Sequence, residues 1–164
     1  MRELRVGSEE FATLAGEVLA RGRTLRFRAR GVSMCPFIRD GDVVEVEPIG
    51  DRPICRRDVV LRRGGDGRVL AHRVTRVTGR GEGALVHTRG DALGYPDGPI
   101  SQRQVLGRVV NVAREGSRMS LRGGPRRLAV VFWAAVRRVG GRRGWIPRVL
   151  NRAAGEGSGA RAGG

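Results

Sequence analysis

DVVLRRGGDGRVLAHRVTRV, residues 58–77, decides the fold. Two apolar-rich runs stand on either side of Gly64, Gly65, Asp66 and Gly67, residue types that take turn conformations at little steric cost. Such a pair of runs about such a turn predicts a β-hairpin. Within its second strand, His72 shares a face with Leu70 and Val74, because side chains on a strand alternate with period two.

The same period recurs outward in both directions. In LRFRAR (25–30), Leu25, Phe27 and Ala29 alternate with Arg26, Arg28 and Arg30, which marks a strand with one buried and one wet face. DVVEVEP (42–48) alternates again, and strands are predicted at 84–88 and 104–114, with 117–121 closing a last hairpin. Ahead of them, Ser8 followed by Glu9 and Glu10 reads as a helix start, and Phe11, Leu14, Ala15, Val18 and Leu19 recur at helical spacing up to Gly22. The expected fold class is therefore mainly β, antiparallel, with one short N-terminal helix. The predicted organisation is an amphipathic helix in 1–23, a β domain in 24–124, an Arg-rich helical segment in 125–152 and a low-complexity disordered tail in 153–164.

The 164 residues suffice for one core without disulfides or metals. The net charge of +16 comes wholly from arginine, since the chain has no lysine. Such a charge favours polyanionic partners and says nothing of fold. No run reaches the roughly 18 apolar residues of a spanning helix, and MRELRVGSEEF lacks the apolar stretch of a secretory signal. A cytoplasmic location is the expectation. The nine apolar residues of LAVVFWAAV (128–136), bracketed by arginine pairs, suit a helix that docks on the domain or lies at an anionic membrane surface, a peripheral association. Two cysteines, Cys35 and Cys55, and two histidines show no metal-ligand spacing, so no metal or other cofactor is expected. The sequence leaves open whether the cysteines are bonded.

A serine becomes a nucleophile only when a neighbouring base takes its proton. Without lysine, His72 and His87 are the conventional bases. A rigid strand suits a base that must stay aligned, which favours His72, while His87 reads as an ordinary strand-end residue. A neutral histidine then needs an acceptor to fix its tautomer. Asp91 and Asp97, six apart in TRGDALGYPDGPIS, can supply one.

Taken in order, GVSMCPFIRDGDVV, RRDVVLRR, AHRV and TRGDALGYPD resemble the type I signal peptidase family of serine endopeptidases. The likeness covers about residues 24–112: the S-M-x-P nucleophile box, the G-D turn, the paired strands, the base strand and the last G-D box. Typical bacterial members carry lysine in a K-R-V box. His72-Arg73-Val74 stands in that place, which looks like the serine-histidine form of archaeal and endoplasmic-reticulum signal peptidases.

The resemblance implies a signal-peptidase-type set of coiled antiparallel sheets, with one or two helices after them. It implies Ser33 as nucleophile rather than Cys35, His72 as base, Asp97 as its partner and Asp91 as a supporting acid. The oxyanion and substrate-binding positions fall on Gly31, Ser33, Met34 and Pro36. Gly31 stands where many members carry a hydroxyl residue, so the oxyanion hole would lean on backbone N–H groups, that of Ser33 included. The implied activity is cleavage of precursor or signal-like peptides, the partner being that peptide, bound as an added strand. Family members are normally held by an N-terminal membrane helix, for which this sequence shows no run. Two other classes stay open: a catalytically weak peptidase-fold binding module, and a basic nucleic-acid-associated regulator like the self-cleaving repressors. Against the latter, 1–23 gives room for one helix rather than a helix-turn-helix, and no RNA-binding aromatic signature appears.

Overall fold

The computed structural model describes residues 8–122. Helix α1 (Ser8–Ala20) precedes eight strands: β1 (Leu25–Arg28), β2 (Val43–Glu47), β3 (Val59–Arg63), β4 (Val69–Thr78), β5 (Leu85–Arg89), β6 (Ile100–Ser101), β7 (Val105–Arg114) and β8 (Ser117–Ser120). The fold is mainly β, as the alternation predicts. Short 3₁₀ turns at Gly81–Gly83 and Gln102–Gln104 and the two-residue β6 are additional to the predicted elements. The expected helices within 125–152 and the tail at 153–164 lie outside the described residues.

Every pairing is antiparallel, in the order β1-β2-β7-β3-β4-β5-β6, with β8 added to β7. Register shifts between Glu45 and Val46, Leu61 and Arg62, and Val74 and Arg76 mark bulges. Bulges increase local twist and bend a strand. The sheet accordingly curls rather than lying flat.

Curling gives the centre two buried faces. On one side Val59 and Leu61 of β3 join Ala15, Leu19, Met34, Ile38, Val44, Val46, Val109 and Val112. Helix α1 covers this side, where Phe11 meets Phe27 edge-on at 4.9 Å and Arg63 donates from Nη2 to the Ala12 carbonyl at 3.1 Å. On the other side Val60 joins Ile54, Val74, Val86, Ile100 and Val105. Strand β3 is therefore apolar on both faces, which explains why VVL does not alternate.

The connection from β2 to β3 is held by one arginine. Arg108 of β7 donates to Asp58 Oδ2 at 3.1 Å and to the carbonyls of Ile49, Arg52 and Pro53. Burial pulls its pKa down from its usual value, with Asp58 opposing, and the loop supplies the acceptors that this permanently charged guanidinium needs once it is buried. Arg108→Met is expected to leave Asp58 and three carbonyls short of their donor, destabilising the fold by about 3 kcal/mol. Urea unfolding followed by circular dichroism measures this.

Among the described residues no helix is long and apolar enough to cross a membrane. Cys35 is half-buried and Cys55 exposed, and both are free thiols.

Candidate active site

Residues 29–42 form a loop between β1 and β2 that is closed at its base, where Ala29 N–H donates to the Asp42 carbonyl at 2.7 Å and Gly41 N–H to the Ala29 carbonyl at 2.9 Å. Asp42 is buried and receives Arg114 through both oxygens, at 2.8 and 2.6 Å. These bonds raise the Arg114 pKa above its usual value. Inside the loop Met34 and Ile38 are only 4% exposed and sit in the helix-side core. The Met-Cys-Pro sequence thus has a mechanical reading. Met34 anchors the turn, and its neighbour Ser33 is left facing the opposite side of the sheet.

His72 stands on that side. Its partner across the hairpin is Val60, so it shares the second core's face with Val60 and Val74. Ser33 Oγ lies 3.1 Å from His72 Nε2, and His72 Nδ1 lies 2.6 Å from Asp97 Oδ2. With Nδ1–H donating to the carboxylate, the Nε2 lone pair is free to accept the serine proton. Three residues separated by 39 and 25 positions in the chain are in hydrogen-bond sequence.

Comparison with protein-family models, with curated proteins and with solved structures gives no match.

Asp97 is held from several directions. Thr88 of β5, fully buried, donates its hydroxyl to Oδ2 at 2.6 Å, and Asp97 N–H returns to the Thr88 carbonyl at 2.9 Å. Arg62 of β3 adds an ion pair at 3.2 Å. Burial alone would raise the Asp97 pKa. The Thr88 and His72 hydrogen bonds, with the charges of His72 and Arg62, outweigh it and hold the carboxyl below its usual value. The acid is ionised wherever the fold is intact at neutral pH.

Asp91 stands apart from His72. Both its oxygens are taken by Arg73, at 2.7 and 2.6 Å. The same guanidinium lies 4.9 Å above the Phe37 ring and donates to the Arg57 carbonyl. Asp91 thus acts at one remove, by fixing Arg73, the residue after His72, against Phe37, four residues after Ser33. His87 is half-buried on β5, 3.4 Å from the Thr78 hydroxyl.

Among the oxyanion and substrate positions, the backbone N–H of Ser33 makes no hydrogen bond among the described residues. That of Gly31 is used, donating to Asp40 Oδ1 at 2.8 Å. Gly31 sits at φ +91°, where a side chain is strained; its part is to turn the chain into the serine. Met34 is a core anchor, whereas Pro36 is exposed beside the turn. No three His, Cys, Asp or Glu side chains group as a metal site among the described residues.

The loop that carries Ser33 and the loop that carries Asp97 also touch through backbone. The Ser33 carbonyl accepts from Ala92 N–H at 2.9 Å, and a Cβ at Gly90 would stand 2.6 Å from that same carbonyl oxygen. Only glycine permits this approach. Gly90→Ala is expected to push the loops apart and lengthen the serine–histidine contact. A misplacement of about 1 Å costs on the order of 10²-fold in rate. The expected signature is a kcat loss with the far-ultraviolet circular dichroism spectrum retained.

Sequence reasoning singled out Ser33, His72, Asp97 and Asp91 but not Thr88, Arg62 or Arg73. Thr88 carried a signal: in LVHTR it shares a face with the buried Val86. Arg62 carried a misleading one, since VVLRR reads as a strand running out into water.

Proposed function

We propose that the chain is a serine endopeptidase working through Ser33, His72 and Asp97. The observation that carries this is the continuous contact from Ser33 Oγ through the buried imidazole to a half-buried carboxylate. His72 Nε2 takes the hydroxyl proton as Ser33 Oγ bonds to the scissile carbonyl carbon. Asp97 keeps Nδ1–H in place and stabilises the imidazolium that forms. The oxyanion is received by backbone N–H groups, that of Ser33 first. His72 then passes the proton to the leaving amine, which departs and leaves an acyl-serine; water, deprotonated by His72, releases the acid product.

The proposed substrate is an extended segment of a precursor or signal-like protein, with small residues such as alanine at the cleavage point. Two observations support a chain-like ligand. β1 ends the strand order, so one edge is unpaired among the described strands, and it leads directly into the serine loop. An added strand can pair with such an edge. Val32, 68% exposed immediately before the nucleophile, offers apolar surface at the approach. Association with a membrane surface through residues 125–152 is part of the same proposal, and vesicle flotation with and without residues 125–164 tests it.

The test of activity is mass spectrometry on a mixed peptide library containing Ala-x-Ala sequences, incubated with the chain and with its Ser33→Ala variant. Cleavage by the wild type alone supports the reading and gives its specificity. Cleavage by neither, with and without lipid vesicles, favours a peptidase-fold binding module. Activity should rise with pH as His72 loses its proton, because only the neutral ring accepts the serine proton. A rate constant across pH 5 to 8, measured on the best library peptide, would count against His72 as base.

A further inference from the structure

Behind the acid stands a charge that the triad chemistry does not require. Arg62 is 6% exposed, on the same face of β3 as Val60, the cross-strand partner of His72. Its Nη2 lies 3.2 Å from Asp97 Oδ2, the same oxygen that receives His72 and Thr88. Nη1 donates to the neighbouring Arg63 carbonyl at 3.3 Å, and the buried Nε has no partner. A guanidinium cannot shed its proton to escape burial. Asp97 is therefore the one carboxylate matching it among the described residues, and the carboxylate answers to two partners, one permanently positive and one that becomes so during the reaction.

We propose that Arg62 is a positioning residue: from behind the acid it holds Asp97 ionised and in place, and its fixed charge sets the pH at which His72 becomes the neutral base. The inference rests on the peptidase reading of Ser33, His72 and Asp97. With Arg62 and Asp97 balancing each other, a proton on His72 gives the buried cluster a net positive charge, which low-dielectric surroundings disfavour. Without Arg62, Asp97 would stabilise the imidazolium unopposed. The sign follows: Arg62 extends the working range of the base toward acid. The other charges around His72 are matched. Arg73, next on β4, is neutralised by both oxygens of Asp91. Arg108, two strands away on the same face, is paired with Asp58. Ser33 and Thr88 bring neutral hydroxyls from the serine loop and β5.

The experiment compares Arg62→Gln, Arg62→Leu and Arg62→Lys with the wild type in the full chain. The pH profile of kcat/KM is read on the best library peptide, and the His72 ring is titrated by NMR, its signal assigned with His87→Gln. The neutral variants should move the acid limb upward, so that on that limb their activity relative to their own plateau is on the order of tenfold lower. Arg62→Lys should restore the wild-type limb. The ring titration should move the same way and needs no substrate, so it still reads the proposal if the chain cleaves no peptide. Folded neutral variants whose ring titrates with the wild type would overturn it, as would failure of both neutral variants to fold while Arg62→Lys folds, which would make Arg62 purely structural.

Discussion

Ser33→Ala should lower the rate of peptide cleavage by about 10⁴–10⁶-fold while the fold and its stability stay close to the wild type. The two halves of this expectation have separate causes. The hydroxyl is the only atom that can bond to the carbonyl carbon in the proposed scheme, so its loss removes the covalent route and leaves what binding and backbone donors contribute. Structurally, among the described residues Oγ bonds only to His72, on a loop fixed by Met34, Ile38 and the Asp42–Arg114 pair rather than by the serine hydroxyl. Removing one such hydroxyl costs about 1 kcal/mol or less. His72→Ala should match the rate loss, and the double variant should be no slower than either single one, because groups acting as a unit are not additive. A double variant slower by the product of the two losses would show that the residues act independently.

Asp97→Asn should be damaging twice. An amide in place of the carboxylate can present its NH₂ to His72, which moves the ring proton to Nε2 and leaves nothing to accept from Ser33. The tautomer error costs about 10⁴-fold. At the same time Arg62, 7% exposed in its side chain, loses its balancing charge, a change worth about 3 kcal/mol. The stability loss depends on pH. Because the folded Asp97 carboxyl is held below the ordinary aspartate value of 3.8, its contribution is fully present above that pH and fades as pH falls further, through the folded value. The gap in urea midpoint between wild type and Asp97→Asn should therefore narrow below about pH 4. A gap independent of pH would mean that the carboxylate charge is not what stabilises this corner.

The β-hairpin, the helix and the long strands were legible because they alternate or repeat over several residues. β6 was not, since two residues carry no period, and its Ile100 is placed by the second core instead. At the site, the order of serine, histidine and two aspartates pointed to a triad before any geometry. The resemblance already implied Asp97 as the ring's partner and Asp91 as the supporting acid; it could not show that Asp91 is absorbed by Arg73, through a bidentate contact from β4 to the loop after β5. Arg62 was hidden because the rule that arginine faces water fails where both faces of β3 are covered.

That two-sided covering has a consequence in time. Strand β3, paired on both edges and packed on both faces, can exchange its amide hydrogens only when the whole domain opens, and β4 with His72 is bound to it. The serine loop is tied down by a handful of side chains and backbone bonds and can open by itself at lower cost. The base thus belongs to the slowest-opening part of the protein and the nucleophile to a faster one. In hydrogen exchange the amides of 59–62 and 70–74 should persist while those of 31–37 turn over, so that the triad is dismantled from the serine end without the fold being lost.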